Sequence, residues 1–253
     1  MEQRKKEEIA QFDNLARKKQ KNVATDAEGL EHGIFSSYQF VERWMRAHIK
    51  KGDTLLDYGC GNGIHSILPA KLGAEVTGID LSSESLKLAK KLAERERVSI
   101  EFLQMDCEKL TFPDNSFDYI FDGGTFSSLD LQKAIPELAR ALKPNGTLVA
   151  IETLGHNPLS NLKRKINKLL GKRTNWAVDH IFKIQDLKLM EAHFKTIETH
   201  YFHLISLFAF PFLRFSWGRT LLKFLERIDV KLLRLKFLQP FAFKIIVVGE
   251  KTG

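Results

Sequence analysis

The chain is short of cysteine, of long apolar runs and, in one half, of acid. Only Cys60 and Cys107 occur in 253 residues. Two such thiols form no disulfide framework and have no metal-ligand spacing, so neither a stapled secreted fold nor a bound metal is expected. A reducing, cytoplasmic setting fits. No uncharged run approaches the roughly 20 residues of a membrane-spanning helix. The first 22 residues are charged throughout and lack the apolar stretch of a secretory signal. Acid is scarce after residue 150: residues 151–253 hold 18 Lys/Arg against 8 Asp/Glu, a balance of +10, whereas residues 1–150 hold 21 against 23. The formal charge of +8 therefore belongs to the C-terminal part. A basic face can attract nucleic acid, anionic lipid or an acidic small molecule, and charge alone does not choose among them.

What is present is an ordinary globular composition, 43% hydrophobic and 28% charged, at a length that suits one α/β domain. Residues 1–22 read as a solvated helix with a thin apolar stripe. Phe40, Val41, Trp44, Met45 and Ile49 are spaced for one buried face of a helix over about 37–50. Strand and helix then alternate. Strands are expected at 54–57, 75–80, 99–104, 117–121 and 147–152. Helices are expected at 64–72, from Ser82 or Ser83 to about Arg97, and at 129–142. Pro69 conflicts mildly with the first of these helices. Residues 157–179 read as basic and irregular, 185–193 as a short helix, 196–204 as a strand and 241–249 as the last strand. Strands separated by helices imply a mostly parallel sheet covered on both faces.

The segment LLDYGCGNGIHS carries the most information. Gly59, Gly61 and Gly63 follow a strand, where glycine permits a turn with positive φ and close approach of a ligand to the main chain. The spacing G-x-G-x-G departs from the dinucleotide fingerprint G-x-G-x-x-G, with Ile64 where that pattern wants glycine. Asp57, Asp80, Asp106 and Asp122 each fall at or just past the C-terminal end of an expected strand, the edge where open parallel sheets bind ligands. Asp80 could accept from both hydroxyls of a ribose, or simply cap the next helix. Asp106 could accept from an adenine amino group, or be a solvated turn residue.

Taken together, LLDYGCGNG, VTGIDLS, QMDCEKLTFPDNSFDYIF and ALKPNGTLVAIE resemble the successive motifs of class I S-adenosylmethionine (SAM)-dependent methyltransferases, in particular the small-molecule group that includes ubiquinone and menaquinone biosynthesis enzymes. The resemblance covers about residues 35–152. It implies a Rossmann-like, doubly wound, seven-stranded sheet with an antiparallel last strand, N-terminal helices and a helical C-terminal insertion. The implied layout is a helical extension or lid over 1–36 and one methyltransferase domain over 37–253, with its core at 53–153 and a basic, apolar insertion at about 205–240. It implies SAM as cofactor, with Asp57, Gly59, Cys60, Gly61 and Gly63 around its methionine part and Asp80 on the ribose. Leu81 would pack on the adenine, with Asp106 and Cys107 at its edge. Asp122 and Gly123 would face the sulfonium end, and Phe35 and Tyr38 would come from the lid. The sequence departs from the group after the fourth strand, where Asp122-Gly123-Gly124-Thr125-Phe126-Ser127-Ser128 stands in place of a His-rich stretch. No Asn-Pro-Pro-Tyr-like motif follows that strand either.

The base for such a reaction is poorly marked. His180 lies where the resemblance places a substrate-facing residue. His156 reads as a loop residue, and His32 and His65 lie near the glycine loop in sequence, the latter expected on a helix face. Ser206–Trp217 is very apolar, and residues 219–238 set a leucine stripe against Arg219, Lys223, Arg227, Lys231 and Arg234. That pattern suits a helix packed internally or on a partner subunit, or one lying on a membrane surface. Lys163, Arg164, Lys165, Lys168, Lys172 and Arg173 add a second basic stretch. The expected function is methylation of a small, apolar or lipid-like acceptor by in-line displacement, with peripheral membrane contact through the C-terminal segment. The alternative is an RNA-binding protein or RNA methyltransferase, disfavoured because the aromatics sit among aliphatics rather than along a basic groove.

Overall fold

The computed structural model describes residues 2–21, 34–169 and 174–252. Its centre is a seven-stranded sheet built from β1 (Thr54–Tyr58), β2 (Glu75–Asp80), β3 (Glu101–Gln104), β4 (Phe117–Asp122), β5 (Leu142–Thr153), β6 (Phe194–Phe202) and β7 (Lys244–Lys251). The strand order is β3-β2-β1-β4-β5-β7-β6. Strands β1 to β5 run parallel, and β7 is antiparallel to both β5 and β6. This is the doubly wound, mostly parallel sheet with an antiparallel last strand that the sequence implied.

Alternation along each central strand decides what covers each face. Leu56, Ile120, Leu148, Ala150, Ile245 and Val247 point to one side and meet Ile135 and Leu138 of helix α5 (Leu131–Ala141). Leu55, Phe121, Val149, Ile151 and Ile246 point to the other and meet Val41 and Met45 of helix α2 (Ser36–His48). Both faces are thus buried, which is why these strands read as nearly continuous apolar runs. Helix α4 (Ser83–Glu96) starts where Ser82 accepts the Ser85 N–H at 3.0 Å and ends at Arg97 in the left-handed conformation. Helix α1 (Gln3–Lys21) packs against α4 at the open edge of the sheet.

Several expected boundaries move, each for a local reason. The helix expected over 64–72 is only α3 (Ile67–Lys71), because the glycine turn persists through Ser66. Pro69 then sits in the first helical turn, where no intrahelical N–H is required, and the conflict disappears. The turn 143–146 is absorbed into β5 as an irregularity, the register against β4 jumping between Phe117 and Tyr119. The stretch expected to be irregular over 157–179 instead contains, among its described residues, α6 (Pro158–Leu169) and α7 (Asn175–Asp179). Pro158 opens α6 at a position where proline is favoured. The stretch 184–191 is a 3₁₀ turn followed by α8 (Leu187–Glu191). The last two strands lie at 194–202 and 244–251 rather than 196–204 and 241–249. Between them stands the expected insertion, a 3₁₀ segment at Ser206–Phe212 followed by α9 (Gly218–Leu232).

Among the described residues no helix is long and apolar enough to cross a membrane.

Candidate cofactor and acceptor site

A cavity of about 390 Å³ lies at the carboxyl ends of β1 to β4, roofed by α1. That volume falls within the range of small-molecule sites, and the place is the one where open α/β sheets bind ligands. The loop after β1 forms one wall. Gly59 and Gly61 adopt φ of 72° and 54°. A side chain on Gly59 would strike the Thr125 hydroxyl, 2.3 Å from the added carbon, whereas one on Gly61 would meet nothing within 4 Å and would enter the open space. Gly61 is therefore where main chain and ligand can come together. Gly63, expected at the ligand, does not line the cavity. A Cβ there would lie 2.9 Å from Ala89 and 3.1 Å from Phe102, so that glycine serves the packing of the loop on α4 and β3.

The four expected carboxylates divide into two on the wall and two beneath it. Asp80 lines the cavity; its Oδ2 accepts the Gly61 N–H at 2.9 Å and its Oδ1 the Ser82 N–H at 2.7 Å. Burial raises its pKa, against the pull of those two bonds. Asp106 also lines the cavity, but its Oδ2 is held by the Lys5 ammonium at 2.5 Å. Asp57 is not on the wall: it is buried under the loop, takes a hydrogen bond from the Ser66 hydroxyl, and is pushed up to about 7 by burial. Asp122 is likewise fully buried and does not face the cavity. Its two oxygens accept the Thr125 and Gly124 N–H groups at 3.0 and 3.2 Å, while Glu152 accepts from Phe126 at 2.8 Å. Burial, and then the charge of Glu152, drives Asp122 well above the carboxylate range. Glu152 is raised by burial too. These two acids fix the loop that carries Gly123 rather than touching a ligand.

Of the other expected residues, Tyr38, Cys60, Leu81, Cys107 and Gly123 line the cavity. Both cysteines are free, and burial pushes each thiol up. Phe35 is instead buried in a cluster with Ala209 and Leu222. His180 is not brought to the site: it is exposed and stacks on Trp176 with ring centroids 3.5 Å apart. The i,i+4 spacing on a short helix turn makes that stacking local. His156 is exposed outside the cavity, and His32, Lys172 and Arg173 lie outside the described residues.

Among the wall residues not expected from the sequence are three basic ones. Arg4 and Lys5 reach from α1 to β3's loop, Arg4 meeting Glu108 at 2.5 Å and Lys5 meeting Glu108 at 2.9 Å besides Asp106. Although burial disfavours its charge, those carboxylates raise the pKa of Lys5. Glu108 is lowered even though burial opposes it, by the Asp130 N–H, Lys5 and Arg4. Asp13 of the same helix accepts from the Ser82 hydroxyl at 2.6 Å, and Ile9, Phe12 and Leu15 supply an apolar ceiling. His65 is the third. It lies in the turn before α3, stacked nearly parallel on Tyr38 at 5.8 Å and against Phe121 at 4.8 Å, beside Gly123. The signal that could have found it was Pro69, whose comfort at a helix start places His65 in the loop.

Comparison with known proteins follows this geometry. Residues 56–150 match the methyltransferase domain family. The chain is 35% identical over 127 residues to the demethylmenaquinone methyltransferase of Listeria monocytogenes, covering 46% of this chain and 54% of that one. It is 36% identical over 118 residues to the ribosomal protein L11 methyltransferase of Burkholderia mallei, covering 46% and 37%. The chain thus spans about half or less of the length of these relatives. In three dimensions it resembles the phosphoethanolamine N-methyltransferase 2 of Haemonchus contortus solved with S-adenosyl-L-methionine. That likeness has a TM-score of 0.61 at 20% identity and covers 85% of this chain and 52% of that one. The matched segment runs from β1 to β5, the part of the sheet that builds the glycine loop and its acids. These matches place residues 56–150 in the methyltransferase domain family, and the chain as a whole shares the fold of that solved enzyme.

Proposed function

We propose that this chain transfers a methyl group from SAM to a small, apolar acceptor. The observation that carries the reading is the joint placement of Gly61 and Asp80 on one wall of the cavity, linked by the 2.9 Å bond. A carboxylate so held keeps lone pairs for the hydroxyls of a ribose, and the open space over Gly61 is where a Cβ would stand in a ligand's way. Leu81 and Leu88 below, with Phe12 and Leu15 above, form an apolar slot for a flat base. The donor set and the cavity fit an adenosine-bearing cofactor.

When bound, SAM supplies a methyl group on a sulfonium sulfur, activated toward attack by a nucleophile. The residues then have to hold and orient. Asp80 fixes the sugar. The Asp122–Glu152 pair keeps the loop of Gly123 rigid beside the transfer point. Ile9, Phe12 and Leu15 of the α1 roof lay apolar side chains over the cavity. Tyr38 and His65 form the far wall, and the acceptor lies against their rings. His65 takes the acceptor's proton where that acceptor is a hydroxyl. Holding two reactants in line is worth on the order of 7–11 kcal/mol in favourable cases, so positioning supplies most of the rate.

The decisive experiment is calorimetry with SAM, followed by incubation of the protein with methyl-labelled SAM and fractionated cell extract. Label entering the organic-soluble fraction supports the reading. Label entering RNA or protein moves the acceptor to another class, and no heat of SAM binding removes the proposal altogether.

A further inference from the structure

The insertion between β6 and β7 sorts its charges by sign. All seven Lys and Arg between Arg214 and Lys236 are exposed. The two acids of that segment turn inward. Glu226 accepts the Ser36 N–H at 2.9 Å, and Asp229 accepts the N–H groups of Leu204, Ile205 and Ser206 at 3.0, 2.8 and 3.1 Å. Among the described residues, none of the seven cations is paired with a carboxylate. In the same insertion Phe237, Phe224, Phe208 and Trp217 are 70%, 58%, 56% and 51% exposed. Trp217 stacks between Phe212 and Phe215 at 5.1 and 5.7 Å, and the Arg214 guanidinium covers Phe215 at 4.8 Å.

Large aromatic side chains standing out among unpaired cations need a partner that is apolar inside and anionic at its face. A second copy of the chain fits poorly, since self-contact through this face would set cation against cation. Aromatics among cations could also stack bases, but the insertion exposes Val230 and Leu235 as well, aliphatic surface that a bilayer buries and a nucleic acid does not. An anionic bilayer satisfies both features: aromatic rings enter the headgroup boundary and Lys and Arg meet the lipid phosphates. The inner side of the same insertion packs on the cavity's neighbours. Phe210 lies 4.5 Å from Phe35, and Tyr38, which lines the cavity, packs against that cluster.

We propose that the 206–241 face docks on an anionic lipid surface and that the apolar acceptor enters the cavity from it past Tyr38. The entry route rests on the methyl-transfer reading; the docking does not. The test uses the full chain with sedimented vesicles of phosphatidylcholine, with and without phosphatidylglycerol, at low and high salt. Binding to the anionic vesicles at low salt exceeds binding to the neutral ones by at least about tenfold, since each surface cation contributes to attraction and salt screens it. A variant carrying Trp217→Ser, Phe224→Ser and Phe237→Ser, all exposed positions, loses most of that binding. Its melting temperature and SAM affinity stay unchanged. Replacing Lys223, Arg227 and Lys231 by Glu abolishes the preference for anionic vesicles. Absence of vesicle binding by the wild-type chain, or equal binding by the variants, overturns the proposal, as does a dimer that the triple serine variant dissolves. Intact SAM binding without vesicle binding sinks docking alone, and the reverse sinks the methyl-transfer reading alone.

Discussion

The two halves of the sheet treat charge in opposite ways. From β1 to β5, acids turn inward, onto a crevice or beneath its wall, and are held by backbone N–H groups, hydroxyls or cations of α1. From β6 to β7, the insertion turns its cations outward and spends its two acids on holding itself together. The first half is shaped around hydrogen-bond acceptors for a ligand, the second around a surface. Their difference shows why net charge alone said so little: the insertion, with seven Lys and Arg against two acids, carries about half of the positive excess after residue 150 and shows it on its outer side.

The comparison can be broken at single residues. The largest effect is expected at Asp229. Its carboxylate accepts three backbone N–H groups while buried, and bonds to a charged acceptor are worth about 1.5–3 kcal/mol each in the stronger cases. Asp229→Ala should lower stability by roughly 3–4 kcal/mol once the orphaned N–H groups are counted, and chemical denaturation will read it. An insertion that tolerates the change is not organised by that acid. Next comes Gly59→Val in the first half. Strain at positive φ and the clash with Thr125 together cost about 3 kcal/mol, so the melting point should fall by roughly 6–12 °C. A smaller effect is expected on the ligand. Asp80→Ala should weaken SAM binding at least about tenfold, the ~1.4 kcal/mol of one charge-assisted bond. Unchanged affinity in a folded variant removes the ribose assignment.

The smallest effects sharpen the contrast by pH. Asp57 rises from 3.8 to about 7 in the folded chain because it is buried. The native state therefore keeps that proton longer than the unfolded chain does. The contribution is full below pH 3.8 and lost as pH climbs through about 7. His203 runs the other way. Burial, and then the charge of Lys244, lowers it from 6.5 to about 3, so its contribution is present above pH 6.5 and lost as pH falls toward 3. Asp57→Asn should remove a decline in melting temperature between about pH 4 and 7, and His203→Gln should remove a rise between about pH 3 and 6.5. Profiles that shift in the same direction contradict burial as the cause of both shifts, since burial raises the pKa of an acid and lowers that of a base.

What the sequence revealed follows the same division. Asp80, Leu81, Gly61 and Cys107 were legible because each sits at a fixed offset from a strand end, and the strands announce themselves by apolar runs. Asp57 and Asp122 were placed at the right edge but on the wrong side of it, since an offset says where a residue stands and not how deep. Arg4, Lys5 and His65 were not legible. The first two arrive by packing of α1 across the chain, with no local pattern to mark them, and His65 was hidden by a helix drawn one turn too early. His180 attracted notice by position alone, and its ring was already taken by Trp176. Helix α6 went unseen because its cations obscured its apolar spacing, and Leu162 and Ile166 of that stripe are in fact exposed.

One consequence of the α1 roof concerns timing. Arg4 and Lys5 fasten the helix to Glu108 and Asp106 at one side of the cavity, through ion pairs that salt weakens. A ligand that leaves past these pairs should therefore stay longer in dilute buffer and leave sooner in salt, which its release rate at two ionic strengths will read.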